Sequence, residues 1–117
     1  MSLAATRLPR ERLARLRGAA NAKKAGKGIT RWHLSSDSMQ VIRYVYPAGA
    51  SFTAHQHPQE QAFFLIKGSV AFMVEDREHV LEPGDAIIVP PNVAHSSRVL
   101  SAEPAEGLVV LSPPREH

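Results

Sequence analysis

The sequence predicts an all-β fold, an antiparallel barrel or sandwich beginning near residue 29. Three observations lead there. Apolar runs of three to eight residues recur from Thr30 to Leu111, which is the length of strands and too short for most helices. Turn-forming clusters separate them, including Pro47-Ala48-Gly49, Glu82-Pro83-Gly84-Asp85 and Pro90-Pro91-Asn92, because Gly and Pro supply the backbone angles that reverse a chain. The run Met39–Tyr46 carries apolar side chains on both parities, so it reads as a strand covered on both faces.

Thr30–Leu34 and Met39–Tyr46 are the first strands, followed by SFTAHQH, Ser51–His57, in which Phe52 and Ala54 alternate with Ser51, Thr53 and His55. Pro58 offers no amide donor and ends that pairing. Ala62–Ile66 follows, and a hairpin between these two runs is expected to bring Gln61 opposite the histidines. Val70–Val74 and His79–Leu81 form the next pair around a charged tip, Glu75–Glu78. Ala86–Val89, Ala94–Leu100 and Leu108–Leu111 complete the series.

The chain of 117 residues supports one core. It contains no cysteine, which excludes disulfides and thiolate metal sites. No apolar run reaches the roughly 18 residues of a membrane helix, and no secretory leader is visible. A cytoplasmic protein without membrane contact is therefore expected. The net charge of +3 hides an asymmetry: Met1–Arg31 holds nine Lys or Arg and one acid, +8, whereas Trp32–His117 holds five and ten, −5. The reading is a basic arm over residues 1–28, with a short helix across Pro9–Arg17 and a linker from Asn21 to Gly28, ahead of a β domain over residues 29–117. Contact between the arm and nucleic acid is the functional alternative. A solvated or self-packed arm is favoured, because no aromatic residue interleaves the charges and no second helix follows.

The chemistry concentrates in Gly49–Gly68. His55 and His57 are two residues apart and share a strand face, and Gln61 lies close by. Two imidazoles and an amide oxygen make an N/O site suited to Fe, Mn, Ni, Co or Zn. His95, after the Pro-Pro-Asn turn, is the candidate further ligand. A lone histidine on a strand is most often a surface or satisfied core residue: His79, in a charged hairpin, is expected to be exposed, His33 to be structural, and His117 is a terminal residue.

The chain resembles the cupin superfamily, and specifically its small single-domain, RmlC-like members. The first cupin motif is matched by Gly49, His55, His57, Gln61 and Gly68, with Gln61 in the place of the usual glutamate. The second is matched by Gly84, Pro90 and His95, with Asn92 for the inner glycine and Val99 for the closing asparagine. Some single-domain cupins carry a similar His-x-His-Pro-x-Glu-Gln run. Asn92 is a mild departure, since Asn tolerates a left-handed backbone. The resemblance implies a double-stranded β-helix, or jelly-roll barrel. It also implies one divalent transition metal (Fe, Mn, Ni, Co, Cu or Zn) on His55, His57, Gln61 and His95, and a homodimer.

Neutral ligands leave the ion's charge uncompensated, which favours an anionic substrate. The expected function is dioxygenase, isomerase or lyase chemistry on a small carboxylate, keto acid or sugar acid. The alternative is a non-catalytic module that binds or senses a small ligand. No residue stands out as the catalytic acid or base. Arg43, in an otherwise apolar strand face, is either ion-paired or directed at substrate. Arg43, Tyr44 and Phe63 are the candidate substrate contacts, while parity alone does not divide Tyr46, Phe52, Phe72 and Met73 between pocket and core.

Overall fold

The computed structural model describes residues 23–24 and 28–115. The expected helix over Pro9–Arg17 and the rest of the arm before Lys23 lie outside the described residues, as does His117. Ten strands follow in order: β1 Lys23–Lys24, β2 Thr30–Ser35, β3 Gln40–Tyr46, β4 Ser51–His55, β5 Glu60–Lys67, β6 Val70–Val74, β7 Arg77–Leu81, β8 Ala86–Val89, β9 His95–Val99 and β10 Ala105–Ser112. The short β1 falls in the stretch read as linker and pairs with β2. Among the described residues there is no helix, and hence none long and apolar enough to cross a membrane.

Two antiparallel sheets form the fold. One runs β1-β2-β3-β10-β5-β8 and the other β4-β9-β6-β7. The expected hairpin between Ser51–His57 and Ala62–Ile66 does not occur. Strand β4 pairs with β9, whereas β5 pairs with β10 and β8, so the intervening segment crosses between sheets. A backbone bond ties this crossover down, the Asn92 amide donating to the His57 carbonyl at 2.8 Å. The tip between β6 and β7 is also tighter than expected. Only Glu75 and Asp76 turn, with Glu75 at φ 54°.

Residues directly opposite each other in antiparallel strands share a sheet face, and this register sorts the larger sheet. Arg31 opposes Tyr44, Tyr44 opposes Gly107, Ile42 opposes Val109, and Val109 opposes Phe63. These residues face the smaller sheet. Trp32, Arg43 and Leu108 are opposed on the other side. The core lies between the sheets, where Ile42, Phe63, Leu65, Phe72, Val89 and Val109 are buried. On the outer face of the larger sheet Phe64, Ile66 and Ile88 remain exposed.

Two backbone positions show why the motif glycines are spaced as they are. Gly68 adopts φ +91°, and a Cβ there would lie 2.8 Å from the Ala105 Cβ and 2.9 Å from its Cα. Only glycine fits both constraints. Asn92 stands at φ 63°, the left-handed conformation that its amide side chain tolerates. Replacement of Gly68 by Ala is expected to cost about 2–4 kcal/mol, combining strain and overpacking. Gly49, at φ +76° with nothing within 4 Å of a Cβ, should cost only about 1–2 kcal/mol when changed to Ala. Urea midpoints of G68A and G49A check the order.

Candidate functional site

The site lies between the sheets, where the ends of three strands meet. His55 closes β4 and is directly opposite His95, the first residue of β9. His57 follows in the crossover, and Gln61 enters from β5 in the other sheet. The ring centroids are 4.3 Å apart for His55 and His95, 4.9 Å for His57 and His95, and 5.6 Å for His55 and His57. One nitrogen from each ring lies within 4.8 Å of the others. His57, Gln61 and His95 are buried, while His55 faces the open mouth.

The hydrogen bonds fix which nitrogens are bare. Nδ1 of His55 contacts the Thr53 carbonyl at 3.1 Å, that of His57 the Gln59 carbonyl at 3.0 Å, and that of His95 the Val93 carbonyl at 2.9 Å. A carbonyl oxygen only accepts, so each Nδ1 carries the proton and donates it, leaving Nε2 as a lone pair. Metal-binding histidines are oriented in this way by their outer hydrogen bonds. Nε2 of His95 is buried without a hydrogen-bond partner. Burial, opposed by the Val93 bond, holds the His95 pKa below its usual 6.5, which keeps the ring neutral at pH 7.

The contact between His57 and Gln61 bears most directly on a cation. Nε2 of His57 lies 3.0 Å from Oε1 of Gln61. With Nδ1 protonated, two lone pairs face each other. That arrangement is relieved by turning the amide so that its NH2 donates, or by a cation shared between the two atoms. The orphaned His95 nitrogen, the three oriented imidazoles and this contact all fit a borderline divalent metal.

The cluster opens into a cavity of about 290 Å³. Its aromatic wall is built from Tyr44, Tyr46 and Phe52. The tyrosines stack at 5.4 Å, and Phe52 meets them edge-on at 5.8 and 5.6 Å. Phe63 and Phe72 form its inner end, with Phe72 parallel to His95 at 6.1 Å. Among the described residues no Asp or Glu lines the cavity, while Arg31 and Arg115 do. Burial raises the Tyr44 pKa, against the pull of Arg31 and Arg115, and pushes Tyr46 well above its usual value.

Of the candidate substrate contacts, the cavity lining includes Tyr44 and Phe63 but not Arg43. Arg43 faces outward, where its Nε donates to Glu106 Oε2 at 2.9 Å and its guanidinium lies 4.5 Å from the Trp32 ring centroid. The physical reason is strand parity. Tyr44 occupies the inward position, so its neighbour must point away. Tyr46, Phe52 and Phe72 line the cavity, and Met73 does not. His79 is exposed on β7, far in the sheet order from the cluster. The residues missed from sequence are Arg31 and Arg115. Arg31 falls at the edge of the basic stretch Met1–Arg31, and only its register opposite Tyr44 places it on the inner face.

Fold and site together define a small two-sheet β-barrel whose cavity holds a cluster of three histidines. The chain belongs to the cupin family, since the family model for the cupin domain matches residues 42–111. Dimethylsulfoniopropionate lyase DddQ of Ruegeria pomeroyi is 34% identical over 65 residues, 55% of this chain and 32% of the lyase. The chain thus spans about a third of that enzyme's length. An uncharacterized protein of Streptomyces coelicolor is 30% identical over 92 residues, 79% of this chain and 87% of that one. The crystal structure of an RmlC-like cupin from Shewanella frigidimarina superposes with a TM-score of 0.78 at 25% identity, covering 85% of this chain and 89% of the other.

His95→Ala is expected to abolish stoichiometric divalent-metal binding, read by elemental analysis after dialysis. Gln61→Glu, which adds an anion to the donor set, should tighten binding about tenfold in a chelator competition.

Proposed function

We propose that this protein is a metal-dependent cupin that takes one divalent transition ion on His55, His57, Gln61 and His95. Its substrate is a compact anion, a carboxylate, keto acid or sugar acid, and its chemistry is that of a lyase, isomerase or dioxygenase. The observation that carries this is the set of three Nδ1-to-carbonyl bonds, which leaves Nε2 of each ring with its lone pair in a cluster whose ligand atoms lie within 4.8 Å of one another, beside a cavity that no Asp or Glu lines among the described residues. A bound divalent ion supplies Lewis-acid polarisation of a substrate oxygen or, if it is Fe or Cu, oxygen activation. DddQ is a lyase by name, and its partial likeness supports the lyase branch.

The chain's own residues prepare the pocket for such a molecule. The aromatic wall excludes water from one side of the cavity. The Tyr44 phenol keeps its proton at neutral pH and can donate a hydrogen bond to a developing negative charge. Among the described residues no Asp or Glu lines the cavity to repel an acidic substrate. The same absence favours a second reading, a binding or sensing module without turnover, because the usual carboxylate base is missing from the described lining.

A homodimer is also proposed, with a second copy covering the outer sheet face. Phe64 and Ala86 are directly opposed there, as are Ala62 and Ile88, so the exposed Phe64, Ile66 and Ile88 form one contiguous apolar patch. Light scattering should give twice the mass of the chain. Phe64→Lys should shift the protein towards the monomer.

The metal reading is tested by melting the protein with and without metal. At a free-metal concentration a hundredfold above Kd, the folded state should gain about 2.7 kcal/mol, with no gain in a His55→Ala, His57→Ala variant. Loss of a carboxylate, keto-acid or sugar-acid panel member with the metal-loaded protein establishes turnover. Tight binding without product formation establishes the sensing module instead.

A further inference from the structure

Two guanidinium groups share the cavity with the histidines, and the metal reading leaves both unused. Arg31 comes from β2 and is directly opposite Tyr44 on β3. It lies within hydrogen-bonding reach of the Tyr44 phenol, yet its Nε is buried with no partner. Arg115 enters from the segment after β10, which the Gln59 amide holds through the Pro114 carbonyl at 3.4 Å. Arg115 is itself exposed and lines the same cavity as Tyr44 and His95. Neither arginine has an ion pair among the described residues, where the pairs are Arg43 with Glu106 and Arg98 with Glu78.

Burying a guanidinium atom without an acceptor is costly, and a second cation nearby adds repulsion. A ligand carboxylate removes both penalties, because the planar fork of arginine matches it in a bidentate pair. The imidazole cluster, with its bare Nε2 atoms, provides a separate point for a metal-bound acidic head. The cavity therefore has two places for an anionic group, a neutral imidazole cluster that attracts one only through a bound metal ion and a pair of arginines, and aromatic rings line it alongside both.

We propose that Arg31 and Arg115 form a second anchoring point, so that the ligand is a compact acid with two separated anionic groups, a dicarboxylate rather than a monocarboxylate. This rests on the metal reading for the first anchor only. The arginine anchor stands on its own contacts.

The test compares 2-oxoglutarate with 2-oxopentanoate, which differ in one terminal carboxylate, by calorimetry on the Mn2+-loaded full chain. On metal-free protein, butyrate binding reads the arginine anchor alone, and either glutamine variant should weaken it. Wild type should prefer the diacid by about tenfold or more. Arg31→Gln and Arg115→Gln should each erase most of that preference while leaving metal stoichiometry unchanged, and Arg31→Lys should restore part of it. Circular dichroism confirms that each variant is folded. Equal affinity for the two acids, binding of neither, or an unchanged preference in both glutamine variants overturns the arginine anchor. The metal reading fails separately, if wild type and the His55→Ala, His57→Ala variant hold equally little metal while arginine-dependent butyrate binding persists without it.

Discussion

The site depends on three backbone carbonyls more than on any side chain that lines it. Thr53, Gln59 and Val93 each accept the Nδ1 proton of a histidine two residues away. These are local bonds, set by the path of the chain at the end of β4, in the crossover and at the start of β9. A ring held at Nδ1 has little freedom to turn, and its remaining nitrogen points where the backbone aims it. The donor set is therefore organised before any ligand arrives.

The rest of the fold maintains that backbone path. The direct pairing of His55 with His95 locks two of the rings across one sheet. The bond from the Asn92 amide to the His57 carbonyl ties the Pro-Pro-Asn turn to the crossover that carries the third. Asn92 does this from a left-handed conformation, so the residue in place of the expected glycine keeps the turn and its amide donor. Behind the rings, Phe63 and Phe72 pack at 5.3 Å between centroids and join the site to the buried core. Gly107 leaves the space Phe63 needs, since a Cβ there would come within 2.7 Å of the ring.

The electrostatic character of the cavity follows from which face each residue occupies. On β3 the inward positions fall to Ile42, Tyr44 and Tyr46, so Arg43 points outward and is neutralised by Glu106 beneath Trp32. On β2 the opposite parity sends Arg31 inward. One arginine is paired on the outer face and the other lines the cavity, although the two lie on adjacent strands.

Sequence alone determined the strand series, because alternation and Gly or Pro punctuation are local properties that survive without knowledge of partners. It also determined the histidine cluster, because the spacing of His55, His57 and His95 repeats a pattern tied to one fold. It did not determine how the strands pair. The Ser51–His57 and Ala62–Ile66 runs look like a hairpin from their short separation, yet they belong to different sheets, and Gln61 meets His57 across the barrel. Nor did it determine which side of β3 faces inward, since both parities are apolar and a period of two carries no absolute sign. Tertiary structure decided both, because only the packing of one sheet against the other defines an inside, and that choice placed Arg31 in the cavity and Arg43 outside it.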